Sequence, residues 1–309
     1  MKWQHKATIA RVCARLPFGD RLYRFGQRHV GQLRAQPLVR LATQLEMVRW
    51  LSAAGVAVHG ARFFEVGTGH MPIVPIGFYL SGARECFTVD LNRRIDWGLT
   101  RRSLEWLAYN SAEVARLYGS GVIEPALFQE RFARLRELRS NPQRFLECAG
   151  IRYLAPQDAA HTCLPSASFD CHYSITVLEH VAPPALRDIL VEARRVLKPK
   201  GAALHFVDPS DHFAHSDPAI QLINFLRYSE AEWLRLAGNE FAYCNRLRAS
   251  DFVALAASVG FSAVRTETKV DEPSRLALLQ GFSIDPRFAG YSADDLCTTS
   301  LRVMWKCVT

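Results

Sequence analysis

The sequence predicts an α/β protein built on a mostly parallel sheet. A short apolar run over 62–66 ends in a glycine turn, a helix-like stretch follows through 78–80, and a second apolar run covers 86–90. This succession of strand, turn, helix and strand is how a parallel sheet begins. Apolar residues make up 49% of the 309 residues and charged residues 22%, so a sizeable core can be buried.

The composition excludes several classes of protein. It rules out a disordered chain, a collagen-like fibre and a coiled coil, and no apolar stretch approaches the roughly 18 residues that a membrane span needs. No apolar segment follows the charged first residues, so we expect no secretory signal and a cytoplasmic protein. The eight cysteines form no CxxC pair and match no zinc-ligand spacing, so we expect buried reduced thiols and no bound metal.

The net charge of +8 originates in residues 1–45, which hold nine Lys and Arg side chains and one acid, Asp20. A basic arm of this kind could bind RNA, an anionic lipid surface or an acidic substrate. The alternative, which we favour, is a solvated helical face.

The other elements are predicted from periodicity and from glycine and proline positions. Residues 1–60 read as a helical N-terminal cap or lid, and a helical insertion of about 96–147 is further material for a lid. Strands are expected at 151–155, 169–177, 202–207, 261–268 and 299–308, and helices at 185–197 and 250–259. A helical excursion of about 270–295 separates the last two strands.

The turn Glu65-Val66-Gly67-Thr68-Gly69 is the central functional signal. Glycines after a buried strand let the backbone turn tightly and let a ligand lie against the peptide bonds. Asp90 ends the second strand about 20 residues later, where a carboxylate can hold a ribose diol. Glu65 would repel a pyrophosphate but suits the ammonium and sulfonium of S-adenosylmethionine, and Pro72 replaces the third glycine of a dinucleotide fingerprint.

Five segments carry a family resemblance, and they follow one another in the family's order. They are Glu65–Gly69, Val89-Asp90-Leu91, Gln157-Asp158-Ala159 with 164–170, Ser174–Val181 and Arg194–Gly201. Over about residues 61–210 the chain resembles the class I S-adenosylmethionine-dependent methyltransferases of the small-molecule type. Met71 departs from the pattern, since the family often has a third glycine there, and the first helix is therefore expected to start differently.

The resemblance implies a Rossmann-like, doubly wound, mostly parallel seven-stranded sheet over residues 61–309. It implies S-adenosylmethionine as cofactor and S-adenosylhomocysteine as product, with the adenine held through Asp158. The implied cofactor-binding residues are Glu65, Gly67, Thr68, Gly69, Asp90, Leu91, Asp158, Ala159, Ser174 and His180.

Methyl transfer is an in-line displacement in which positioning supplies much of the rate, and a base is needed only if the acceptor must lose a proton. Asp208, Asp211 and His212 follow the fifth strand, at the edge where open α/β sheets bind ligands. We expect His212 to act as the base, oriented by Asp208 or Asp211. There are two alternatives for Asp208 and Asp211. They could bind a divalent metal, which is not predicted, or they could only cap turns.

The sequence therefore indicates a methyltransferase with a small-molecule acceptor, acting in a biosynthetic pathway. An RNA methyltransferase, a non-catalytic module that binds S-adenosylmethionine and a nicotinamide oxidoreductase are the alternatives. RNA is disfavoured because no aromatic-polar tetrapeptide follows the fourth strand and no RNA-binding appendage is recognised. DNA is not an expected partner, and a homodimer is left open.

Overall fold

In the computed structural model, helices and strands alternate around one sheet, and residues 2–308 are described apart from 20, 21, 24, 25, 27–35, 120 and 122. The strands are β1 (Arg62–Val66), β2 (Glu85–Val89), β3 (Ile151–Leu154), β4 (Phe169–Ile175), β5 (Leu197–Val207), β6 (Phe261–Val270) and β7 (Thr298–Cys307). The helices are α1 (Trp3–Arg15), α2 (Pro37–Ala53), α3 (Ile73–Leu80), α4 (Trp97–Tyr109), α5 (Ser111–Tyr118), α6 (Pro125–Leu138), α7 (Pro142–Cys148), α8 (Pro183–Val196), α9 (Glu230–Ala237), α10 (Ala249–Ser258), α11 (Glu272–Leu279) and α12 (Ala293–Leu296). None of the helices in the described ranges has the length and apolarity to cross a membrane.

The sheet order is β3-β2-β1-β4-β5-β7-β6, which confirms the predicted doubly wound α/β fold. Strands β1 to β5 are parallel, and β7 runs antiparallel between β5 and β6. The chain moves outward from β1 to β3 on one side and resumes at β4 on the other. The strand order therefore reverses between β1 and β4, and open α/β sheets bind ligands in a crevice beyond the carboxyl ends of the strands at such a point.

The helices between β2 and β3 form part of the main core. Apolar side chains of α4 to α7, such as Leu107, Phe132 and Phe145, are buried in one cluster with α2 and α3. Phe63 of β1 stacks on Phe78 of α3 with ring centroids 4.0 Å apart, so the same cluster reaches the sheet. The insertion thus contributes a packed layer on one face of the sheet.

Helix α1 packs elsewhere, on the segment that follows β5. Its Trp3 and Ala7 join a buried cluster with Phe213 and Trp233. The Trp3 amide donates to Asp217 Oδ2 at 2.8 Å. The described part of the N-terminal region is therefore helical, and α1 lies near the carboxyl edge of the sheet. Four of the basic residues of the arm, Arg21, Arg24, Arg28 and Arg34, lie outside the described residues.

Candidate functional site

The glycine turn after β1 has the tight backbone that its sequence predicts. Gly67 and Gly69 have φ angles of +84° and +66°, a region that favours glycine. A Cβ on Gly67 would lie 2.4 Å from Cγ2 of Val177, because the loops after β1 and β4 touch there. A Cβ on Gly69 would meet nothing within 4 Å. The turn is therefore closed against the protein at Gly67 and open at Gly69.

Asp90 follows β2 and lies directly beside this turn. Its Oδ1 accepts the amide N–H of Gly69 at 3.4 Å, and its Oδ2 accepts the hydroxyl of Tyr153 at 3.1 Å. The hydroxyl of Tyr153 is itself fixed by the backbone N–H of Arg94 at 2.8 Å. Burial raises the pKa of Asp90 to about 6. The structure thus brings together the glycines and the acid that the sequence predicted as neighbours.

Glu65 is buried beneath the turn. The Thr88 hydroxyl donates to its Oε2 at 2.5 Å, and the hydroxyls of Thr68 and Thr88 are hydrogen-bonded to each other. Burial raises the pKa of Glu65 to about 8. The carboxyl of Glu65 is therefore linked through two threonines to the turn, and it supports the turn from below instead of facing the open space above Gly69.

The loop after β3 approaches the site through its backbone. The Gln157 amide donates to the Asp90 carbonyl at 2.9 Å, which places Asp158 and Ala159 near the end of β2. Asp158 is half exposed, and its Oδ1 accepts the Ala160 amide at 2.9 Å. Ala159 is buried, whereas Leu91 is 68% exposed at the rim.

Ser174 lies one residue before the carboxyl end of β4. Its side chain is fully buried, and its hydroxyl is hydrogen-bonded to His205 Nδ1 at 2.8 Å, between β4 and β5. The hydroxyl of Ser174 therefore joins β4 to β5, and its contact with the cofactor stays a prediction.

Three segments meet at the rim beyond β4 and β5, namely 178–181, 208–215 and 243–248. Asn245 Nδ2 donates to the carbonyls of Leu178 and Val181 at 2.8 and 2.9 Å. The amide of Asp208 donates to Oε1 of Glu179 at 3.3 Å. Glu179 is buried, which raises its pKa to about 8. These contacts join the three segments into one surface, which we call the rim.

His212 and Asp208 lie together on the rim. His212 Nε2 is 3.6 Å from Asp208 Oδ2, which is too long for a hydrogen bond. This buried nitrogen has no hydrogen-bond partner among the described residues. The His212 ring meets the ring of His180 edge to face at 4.8 Å. Burial, together with the neighbouring His180, lowers the pKa of His212 to about 4, so its imidazole is neutral at pH 7.

Asp211 does not orient His212, which corrects that part of the prediction. Its Oδ1 accepts the Phe213 amide at 2.8 Å, and its Oδ2 accepts Nδ2 of Asn224 at 3.4 Å. The side chain is buried, and burial raises its pKa to about 6. Asp211 therefore shapes the loop after β5, whereas Asp208 remains beside the histidine.

Several residues of the site were missed from the sequence. Tyr153 lies in the strand predicted at 151–155, but the pattern does not show which way its side chain points, and no sequence signal marks Asn245. Cys244 was counted among the buried thiols, and its buried state is as expected. Glu179 stood inside a motif that was recognised, and its position next to His180 is the one signal that could have marked it.

Comparison with known proteins identifies one domain. Residues 105–205 match the profile of the Methyltransferase domain family, a stretch that includes Asp158 and His180 but begins after the glycine turn. No curated protein matches the chain by sequence.

Among solved structures, a protein from Galdieria sulphuraria is similar, and its assignment as a sarcosine dimethylglycine methyltransferase is itself provisional. It shares 14% identity and a TM-score of 0.50, over 92% of this chain and 97% of its own. The 1,6-didemethyltoxoflavin-N1-methyltransferase of Burkholderia thailandensis shares 13% identity and a TM-score of 0.46, over 94% and 87%. Likeness at these identities concerns the fold.

Proposed function

We propose that this chain, which matches the Methyltransferase domain model over residues 105–205, transfers a methyl group from S-adenosylmethionine to a small-molecule acceptor. The observation that carries the proposal is Asp90, a carboxylate held against the glycine turn at the end of β2. A carboxylate there can accept both hydroxyls of a ribose. A role in small-molecule biosynthesis is part of the proposal.

The residues at the crevice fit this cofactor. Space is open above Gly69, where a Cβ would have no neighbour, so a ligand can approach the backbone. Asp90 would accept the ribose hydroxyls, and Asp158, which is half exposed in the loop after β3, would hold the adenine. S-adenosylmethionine carries no phosphate, so its binding requires no cationic side chain at the turn. When bound, S-adenosylmethionine supplies an electrophilic methyl carbon on a positively charged sulfur.

The residues of the turn and the rim have separate tasks in this mechanism. Asp90 binds the ribose, and Glu65 fixes the turn through Thr88 and Thr68. The rim orients the acceptor for an in-line approach, which supplies much of the rate. Where the acceptor must lose a proton, the neutral His212 can take it at Nε2, and Asp208 at 3.6 Å would stabilise the resulting charge.

Calorimetry with S-adenosylmethionine tests the cofactor assignment. Asp90→Ala should weaken binding about 10- to 150-fold, because a hydrogen bond to a charged group contributes about 1.5–3 kcal/mol. Asp188→Ala, which removes a half-exposed acid from α8, is the control and should leave affinity unchanged.

Transfer of a labelled methyl group to a pool of metabolites then tests the reaction. Label should appear in a small product and should be lost with Asp90→Ala at subsaturating cofactor. Tight binding without any transfer would favour the non-catalytic module, and binding of NADH in place of S-adenosylmethionine would overturn the proposal.

A further inference from the structure

His180, His212 and Cys244 form a cluster on the rim that the methyl-transfer proposal does not explain. One potential ligand atom from each residue lies within 4.8 Å of the other two. The residues come from three different segments, after β4, after β5 and after α9. Zinc–nitrogen and zinc–sulfur bonds are about 2.0–2.3 Å long, so small side-chain movements would bring all three atoms onto one ion.

Both histidines present a suitable nitrogen. His180 Nδ1 lies 2.8 Å from the Tyr243 carbonyl, which can only accept, so Nδ1 carries the hydrogen and Nε2 keeps its lone pair. Metal-binding histidines are commonly oriented in this way by a second hydrogen bond. His212 Nε2 is buried without a hydrogen-bond partner among the described residues. A metal ion would satisfy this nitrogen.

The surrounding charge also suits a cation. Cys244 is buried and would bind as a thiolate, and Asp208 Oδ2 is 3.6 Å from His212 Nε2. One thiolate and one nearby carboxylate balance a charge of +2. Glu179 lies behind them, with one carboxyl oxygen on the Asp208 amide.

The ligand types select the metal. Mg²⁺ and Ca²⁺ prefer oxygen ligands, whereas two imidazoles and one thiolate suit Zn²⁺. Three protein ligands leave the fourth position of a tetrahedral ion open, as in catalytic zinc sites. His180 is exposed, so the cluster reaches the solvent-exposed surface of the rim.

We propose that His180, His212 and Cys244 bind one Zn²⁺ ion whose open position takes a thiol or hydroxyl of the methyl acceptor. The role toward the acceptor rests on the proposed methyl transfer, whereas zinc binding does not. On coordination the acceptor S–H or O–H releases its proton to water. Its lone pair then forms the bond to the methyl carbon while the methyl–sulfur bond breaks, and the sulfur keeps that electron pair as a neutral thioether. With zinc bound, His212 is a ligand and no protein base is required.

Equilibrium dialysis of the full chain against Zn²⁺, in the absence of S-adenosylmethionine, tests the site. We expect one ion per chain. His180→Gln and Cys244→Ser should each weaken zinc binding at least tenfold, since even the loss of outer-sphere partners commonly costs about 10- to 100-fold. His59→Gln and Cys163→Ser replace an exposed histidine and an exposed cysteine, and both should leave zinc affinity unchanged.

His180 is exposed, so His180→Gln should fold even if the buried Cys244→Ser does not. Substitution with Co²⁺ adds a second readout, because a thiolate–cobalt charge-transfer band should appear and should vanish with Cys244→Ser. Unchanged zinc affinity in His180→Gln, or a cobalt spectrum without that band, would overturn the proposal. If the chain binds zinc as expected but does not bind S-adenosylmethionine, the proposed function is overturned and the zinc site is not.

Discussion

Replacing Gly67 with alanine tests the close contact between the loops after β1 and β4. At a φ of +84° an alanine costs about 1–2 kcal/mol in backbone strain. Its Cβ would also lie 2.4 Å from Val177 Cγ2, and overpacking of this kind costs about 1–3 kcal/mol. Alanine restricts the unfolded chain as well, which offsets about 0.4–1 kcal/mol. We therefore expect Gly67→Ala to lower the free energy of unfolding by about 2–4 kcal/mol.

Gly69→Ala is the matched control, since its φ is also positive but its Cβ would meet nothing. Only the strain remains, so we expect a loss of about 1 kcal/mol or less. The new methyl group would occupy the open space above the turn, so Gly69→Ala should weaken binding of S-adenosylmethionine far more than it weakens the fold.

Urea unfolding measures the first effect and calorimetry the second. Val177→Ala provides the sharpest comparison, because it removes the methyl groups that the added Cβ at position 67 would strike. In the Gly67→Ala background, Val177→Ala should restore about 1–3 kcal/mol of the free energy of unfolding. As a single substitution, Val177→Ala should lower the free energy of unfolding. Equal stability losses at both glycines, or no rescue by Val177→Ala, would show that the contact between the two loops is wrongly described.

Three further results are expected. Asp211→Ala should lower the free energy of unfolding by about 1–3 kcal/mol, because the buried Phe213 amide loses its acceptor, while calorimetry should show unchanged cofactor affinity; a loss of affinity would return Asp211 to the site. Glu65 has a pKa of about 8 when folded against an ordinary value of 4.5, so its contribution to stability is present below pH 4.5 and lost as the pH rises towards 8. In the unmodified protein the free energy of unfolding should fall by about 1.4 kcal/mol per pH unit over this range, and urea unfolding should show a smaller slope for Glu65→Gln. Equal slopes in the two proteins would contradict the burial argument. The pKa of Asp90 is about 6, so cofactor affinity measured by calorimetry should fall as the pH drops below 6 and should change little in Asp90→Asn.

The sheet was predictable from the sequence because it depends on local signals. Apolar runs separated by glycine turns mark parallel strands, and the sheet order confirms the fold drawn from them. The match of residues 105–205 to the Methyltransferase domain model agrees with the family resemblance. Strand ends also place Asp90 beside Gly69, since neighbouring parallel strands end at the same edge. That the insertion covers the substrate stays a prediction, because periodicity shows that a helix has an apolar face but not which surface covers that face.

The rim was harder to predict because its residues come from distant segments. Asp211 and Asp208 differ by only three positions, and only the folded loop decides that one is buried while the other stays beside His212. Cys244 is far in sequence from either histidine, so no ligand spacing could reveal the cluster. Ser174 followed the family motif, but His205 on the neighbouring strand takes its hydroxyl.

The packing of α1 on the segment after β5 affects the order in which the elements fold. The Trp3 amide and its acceptor Asp217 are 214 positions apart, so this contact forms only after the strands β1 to β5 have been synthesised. A contact of such long range closes slowly. Helix α1 is synthesised before the sheet but would be among the last elements to reach its final position. Deletion of α1 should therefore disturb the segment after β5 more than it disturbs the strands.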